Sequence, residues 1–114
     1  MFSQEHRLRH EKDIKALFSR GKSAFGLTMA VKFKPNHLDV NRFAIVIGVK
    51  VAKRAVVRNR LRRQIRGILS SYIAEMTSGF DVAILPKKGA IGKKSSELER
   101  ELLDTLRKKT PLLS

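Results

Sequence analysis

The chain has 114 residues, 42% of them hydrophobic, which is enough for one domain with a buried core and too few for two. Its 25 Lys and Arg against 10 Asp and Glu leave a formal net charge of +15. A folded domain this basic repels itself, so the excess charge points to an anionic partner, nucleic acid first and an acidic membrane surface second. The chain has no Cys, which excludes disulfides, thiolate nucleophiles and thiolate metal sites. The start, Met1-Phe2-Ser3-Gln4-Glu5-His6, carries no apolar stretch behind a basic one, so no signal peptide is expected. The longest apolar run, residues 43–49, falls far short of the roughly 20 residues a membrane span needs, and a soluble cytoplasmic protein is expected.

In chain order, residues 11–20 read as a short helix, with Ile14, Leu17 and Phe18 at helical spacing and Gly21 as its stop. A brief extended segment, 22–25, precedes Gly26. Residues 27–34 alternate, with Leu27, Met29, Val31 and Phe33 on one face and Thr28, Ala30, Lys32 and Lys34 on the other, as in a strand with one buried side. A polar turn from Pro35 to Asn41 leads into 42–49, rich in β-branched residues and apolar on both faces, as suits a central strand. Residues 54–75 predict a helix with Val57, Leu61, Ile65, Ile68 and Tyr72 on one stripe. Ser78-Gly79 breaks the chain, and 80–85 form a short apolar strand ended by Pro86. A basic, Gly-containing loop spans 87–94. Ser96-Glu97-Leu98-Glu99 then has the spacing of a capping box, and Leu98, Leu102, Leu103 and Leu106 give the last helix its buried stripe. The order is α-β-β-β-α-β-α, an α+β fold in a single domain over residues 1–114.

The charge is placed as well as abundant. Residues 40–74 contain no Asp or Glu but carry Arg42, Lys50, Lys53, Arg54, Arg58, Arg60, Arg62, Arg63 and Arg66. Acids gather near the C-terminus, at Glu97, Glu99, Glu101 and Asp104. Such one-signed clustering is the footprint of a face that meets phosphates. Arg suits that role because it stays charged, donates two parallel hydrogen bonds to phosphate, and stacks on bases. Asn59 sets a neutral donor and acceptor within the charge.

The run Arg58-Asn59-Arg60, followed by Leu61-Arg62-Arg63 and Ile65-Arg66, resembles the RNR motif of the bacterial ribonuclease P protein component. The likeness extends along nearly the whole chain. Arg7-Leu8-Arg9 with Asp13, Leu17-Phe18 and Gly21 resembles the family's N-terminal helix. Gly48-Val49 with Lys50, Lys53 and Ala55 resembles its strand-to-helix entry, and Phe80-Asp81-Val82-Ala83-Ile84-Leu85-Pro86-Lys87 its last strand. The resemblance implies an α/β sandwich similar to domain 2 of ribosomal protein S5, with a left-handed β-α-β crossover where general handedness rules favour the right-handed one.

By the same resemblance the function is that of the protein subunit of ribonuclease P, whose RNA removes the 5′ leader from precursor tRNA. The implied partners are the catalytic RNA and precursor tRNA with its leader, and not DNA or membrane. Mg²⁺ is implied as the cofactor, held mainly by the partner RNA, where it activates water and stabilises the leaving oxygen. No side chain of this chain is expected to be catalytic or a metal ligand. Lys50, Lys53, Arg54, Arg58, Asn59, Arg60, Arg62, Arg63 and Arg66 are expected to bind RNA, lowering phosphate repulsion and raising the affinity for metal and substrate. Ile14, Phe18, Lys32 and Lys34 would line a groove for the single-stranded leader. Ile14 stands where the family often has Phe, and Lys32 where some relatives have an aromatic, which shifts leader contact from stacking toward charge. On the residues alone, Phe18 also fits ordinary core packing, and the two lysines fit simple solvation.

Rival readings are weaker. His6 and His10, four apart with Glu5 and Glu11 nearby, have a spacing compatible with a metal on a helix, but no shielded acid–base pair accompanies them. No helix-turn-helix partner precedes the Arg-rich helix, which disfavours DNA recognition, and the absence of Trp disfavours insertion into a membrane surface. A structural RNA binder such as a ribosomal protein shares the composition and is separated from the ribonuclease P reading only by the extended RNR segment and its entry strand.

Overall fold

A computed structural model describes residues 4–114; Met1 to Ser3, the first part of the segment read for a targeting signal, lie outside the described residues. Three helices, α1 (Glu11–Arg20), α2 (Ala55–Tyr72) and α3 (Ser95–Lys109), accompany four strands, β1 (Lys22–Phe25), β2 (Met29–Pro35), β3 (Arg42–Ile45) and β4 (Phe80–Pro86). The strands form one mixed sheet in the order β1-β2-β4-β3, antiparallel except for the β3–β4 pair. That parallel pair, joined through α2, is the β-α-β crossover. The α+β order expected from the sequence is the one observed. No helix among the described residues is long and apolar enough to cross a membrane.

Alternation along the strands divides the hydrophobic residues between two faces. Met29, Val31, Phe33, Phe43, Val82 and Ile84 meet Leu61, Ile65, Ile68 and Leu69 of α2 and Leu98, Leu102, Leu103 and Leu106 of α3 in the main core. The opposite face is covered more thinly. There Leu17, Ile14 and Phe18 of α1 pack with Leu8, Ala44, Ala83 and Leu85. Residues 7–8 run beside β3, with Leu8 N–H donating to the Phe43 carbonyl at 2.9 Å, and so occupy part of an edge that would otherwise be exposed.

Several boundaries differ from the expectation. Leu27 shares the parity of the buried strand residues but is 80% exposed, because Gly26 N–H bonds to the Met29 carbonyl and makes residues 27–28 a hairpin tip. The strand expected over 42–49 ends at Ile45, and Val49 is 64% exposed; the chain turns at Gly48, whose carbonyl accepts from Val51 and Ala52. β3 is therefore not central: it is apolar on both faces because α1 and the main core sandwich it, and β2 and β4 hold the middle of the sheet. The helix expected over 54–75 is α2 followed by a 3-10 turn, Ile73–Glu75. Cap spacing also misled at α3, which is capped at Lys94 and not at Ser96; the Glu97 carboxylate accepts from the Lys94 N–H at 3.4 Å.

Gly21 does end α1, by close packing: a Cβ there would stand 2.5 Å from the Leu17 carbonyl oxygen. Arg42, counted among the cations of the acid-free stretch, is withdrawn from any phosphate-facing role. Its guanidinium bonds both oxygens of the buried Asp81 at 2.8 Å and reaches Asp13 of α1 at 3.3 Å, tying β3, β4 and α1 together. The hydrogen bond to Asp81 raises its pKa above the ordinary Arg value, against the opposing effect of burial. Removing one partner of such a pair strands the other charge. Arg42→Ala is accordingly expected to lower the unfolding free energy by about 3 kcal/mol in urea titrations; a loss within error of zero would show that the pair is dispensable.

Candidate nucleic-acid interface

The first surface is built on α2. Leu61, Ile65, Ile68 and Leu69 are buried and Tyr72 packs against the same core, so the opposite side of the helix must face outward. Asn59, Arg60 and Arg63 are exposed, while Arg62 and Arg66 are half-buried along their stems. The side chains of Arg60, Arg63 and Arg66 have no hydrogen-bond or ion-pair partner among the described residues, and neither do those of Lys50, Lys53 and Arg54 at the entry to the helix. Arg62 bonds the Asn59 side-chain oxygen at 2.9 Å, one turn back, which aligns two of the expected contacts.

Arg58 has a different occupation. Its Nη1 donates at 2.8 Å to the carbonyls of both Ala52 and Lys53, folding the entry loop onto the first turn of the helix. Sequence spacing gave no sign of this, since Arg58 looks like any other member of the array.

The charge runs against helix electrostatics. A helix N-terminus carries partial positive charge and favours acids, yet the first turn of α2 has none and is flanked by Lys50, Lys53, Arg54 and Arg58. α3 obeys the rule, with Glu97 in its first turn and Arg107, Lys108 and Lys109 in its last. The arrangement at α2 is unfavourable in isolation and becomes favourable when an anion lies against it.

The second surface is an open cleft of about 830 Å³ along α1, lined by Lys12, Asp13, Ile14, Lys15, Ala16, Phe18, Ser19, Arg20 and Lys34. It brings together three of the four residues expected in a groove, Ile14, Phe18 and Lys34. The fourth, Lys32, stands beside it with its ammonium 5.9 Å from the centre of the Phe18 ring. Phe18 is half-buried, packed against the small cluster under α1 on one side and facing this cation on another. Lys12, Lys15 and Arg20 were not singled out in the sequence, although they repeat along one helix. Phe25 was also passed over: it is 61% exposed, with Lys87 Nζ 6.0 Å from its ring centre. His6, by contrast, is engaged with the Asn41 carbonyl at 2.9 Å, and no group of three His, Cys, Asp or Glu able to hold a metal occurs among the described residues.

Known proteins resemble this chain over most of its length. A family model described as Ribonuclease P matches residues 2–110. The ribonuclease P protein component of Microcystis aeruginosa is 37% identical over 107 residues, spanning 90% of this chain and 89% of that protein. That of Thermotoga maritima is 36% identical over 108 residues, spanning 95% and 88%. A solved structure of the Thermotoga maritima RNase P protein aligns with a TM-score of 0.81 at 30% identity, covering 89% of this chain and 94% of the other. The Staphylococcus aureus RNase P protein shares the fold, with a TM-score of 0.85 at 19% identity over 94% and 97% of the two chains.

The two kinds of arginine in α2 separate experimentally. Arg60→Ala with Arg63→Ala should lower the salt slope of RNA binding by about 0.7 to 0.9 for each phosphate no longer neutralised, with an unchanged melting temperature. Arg58→Ala should also destabilise the fold by about 1 to 2 kcal/mol, because it removes two hydrogen bonds to backbone carbonyls. Equal slopes for the wild type and the double variant would remove α2 from the RNA interface.

Proposed function

The chain belongs to the ribonuclease P protein family, and from that premise we propose that it binds the catalytic RNA through α2 and the 5′ leader of precursor tRNA through the cleft beside α1. Ribonuclease P is a ribonucleoprotein endoribonuclease of tRNA 5′ processing, and proteins of this family are its protein subunit. The observation that carries the finer reading is the contrast between the two helices. At the N-terminal end of α2 stand Lys50, Lys53 and Arg54, whose side chains have no partner among the described residues, where helix electrostatics disfavours cations, whereas α3 places its charges where the macrodipole favours them.

On this reading, Arg60, Arg62, Arg63 and Arg66, with Lys50, Lys53, Arg54 and Asn59, lie against the phosphates of the catalytic RNA. Arg58 shapes the loop that presents Lys50 and Lys53. Neutralising closely spaced phosphates reduces their mutual repulsion and lets the RNA fold and hold substrate at lower Mg²⁺. Mg²⁺ held by the RNA would supply the activated water. The chain contributes an electrostatic surface, and its described residues offer no cluster of three metal-ligating side chains.

The leader is single-stranded and flexible, so it suits the open cleft better than a duplex would. Phe18 offers an aromatic surface to a base, and Lys32, Lys34, Lys12, Lys15 and Arg20 surround it with positive charge. With Ile14 in the cleft, stacking is confined to fewer positions than two aromatics would allow.

The test compares binding of precursor tRNA and mature tRNA to the assembled complex. Phe18→Ala with Lys32→Ala should weaken precursor tRNA by about 1 to 3 kcal/mol and leave mature tRNA unaffected. Equal affinity of the variant and the wild type for precursor tRNA would contradict leader binding in this cleft.

A further inference from the structure

A second basic cavity lies at the end of the sheet where β2 finishes and β4 begins. Its volume is about 580 Å³, and its lining is Arg20, Lys22, Phe33, Lys34, Pro35, Phe80, Lys108, Lys109, Thr110 and Pro111. The composition is one-sided, with five cations and no carboxylate. Between them lies an apolar wall of Phe33, Phe80, Pro35 and Pro111, in which the two rings meet edge to face with centroids 6.3 Å apart.

The cations are largely uncommitted. The side chains of Arg20 and Lys22 have no hydrogen-bond or ion-pair partner among the described residues. Lys34 bonds only the Pro35 carbonyl, at 3.2 Å, and Lys109 the Phe25 carbonyl. Lys108 makes an exposed pair with Asp104 at 3.0 Å, an interaction of a kind worth little in water.

Position gives the cavity its meaning. Arg20 and Lys34 line both this cavity and the cleft beside α1, so the two form one continuous track that bends around the last turn of α1. Apolar and aromatic surface interleaved with cations along a groove is what an unpaired nucleotide strand requires, because phosphates meet the charges while bases cover the apolar wall. We propose that this cavity receives the 5′-distal nucleotides of the leader, beyond those held against Phe18. The inference rests on the leader-binding reading above and extends it to a second subsite.

Leader length tests it in the assembled complex. Affinity is measured for precursor tRNAs whose leaders lengthen one nucleotide at a time, with wild-type protein, with Lys22→Ala plus Lys108→Ala, and with Phe18→Ala plus Lys32→Ala. Lys22 and Lys108 line the cavity but not the cleft, and both are exposed, so a matching thermal melt checks that the fold is intact. Wild-type affinity should rise in two steps, as the leader first fills the cleft and then reaches the cavity. The lysine pair should abolish only the second step and lower the salt slope for the longest leaders by about 0.7 for each phosphate no longer neutralised. The Phe18 variant should abolish the first.

A second step that survives the lysine substitutions, or is absent from the wild type, would overturn the proposal. Equal weakening at every leader length, mature tRNA included, would also overturn it and would place the cavity against the catalytic RNA. If wild-type affinity ignores the leader altogether, the failure lies in the leader reading itself. As an independent readout, a photo-reactive nucleotide at the 5′ end of a long leader should crosslink beside Lys108–Pro111, and that of a short leader to α1.

Discussion

Burial of one stripe of α2 fixes where the other side of that helix can be. Leu61, Ile65, Ile68 and Leu69 are held in the main core against the sheet and α3, and the guanidinium groups between them have no route inward. At about 1.5 to 3 kcal/mol for each large apolar side chain removed from water, this packing far outweighs the few tenths to 1 kcal/mol by which misplaced charges disturb a helix end. The fold can therefore display an array of like charges that would not be stable on an isolated helix. Arg58 completes the arrangement by bonding the Ala52 and Lys53 carbonyls, which closes the loop carrying the first cations of the array.

The rest of the molecule handles its excess charge by separating structural from presented cations. Arg42 is neutralised within the fold by Asp81 and Asp13 and serves the sheet. Lys93 is likewise engaged by Glu101 at 3.1 Å at the start of α3. Other cations line α2, the cleft beside α1 on the thinly covered face of the sheet, and the cavity at the end of the sheet. That face is only partly roofed by α1, and the cleft follows from this incomplete cover. A longer helix or a second one there would bury Ala44 and Leu85 fully and leave no groove.

Much of this was legible in the sequence. The α-β-β-β-α-β-α order, the ends of α1, the buried stripe of α3 and the cationic face follow from periodicity and charge, as do Leu61, Ile65 and Ile68 of α2, whereas Leu69 is buried in place of the expected Val57 and Tyr72, which are half-buried. What failed were features decided by partners distant in the chain. Leu27 keeps the parity of a buried strand residue but sits at a hairpin tip, because the turn depends on how β1 pairs with β2. The apolar run from Phe43 leaves the sheet at Ile45, since it must turn at Gly48 to enter α2. Arg42 and Arg58 look like any other members of the cationic array, and only the fold shows the bonds that Arg42 makes to Asp81 and Arg58 to the Ala52 and Lys53 carbonyls. The cavity beside Lys22 was equally hidden, because its walls come from β1, β2, β4 and the C-terminal residues, which no local window brings together.

The most direct measurement is cleavage of a 5′-extended precursor tRNA at low Mg²⁺ by the protein alone, by the catalytic RNA alone, and by the two together. A protein that acts by relieving phosphate repulsion and holding the leader should be inert alone, and should make the RNA efficient while yielding the mature 5′ end. Cleavage by the protein alone, or an RNA rate unchanged when protein is added, would contradict that role.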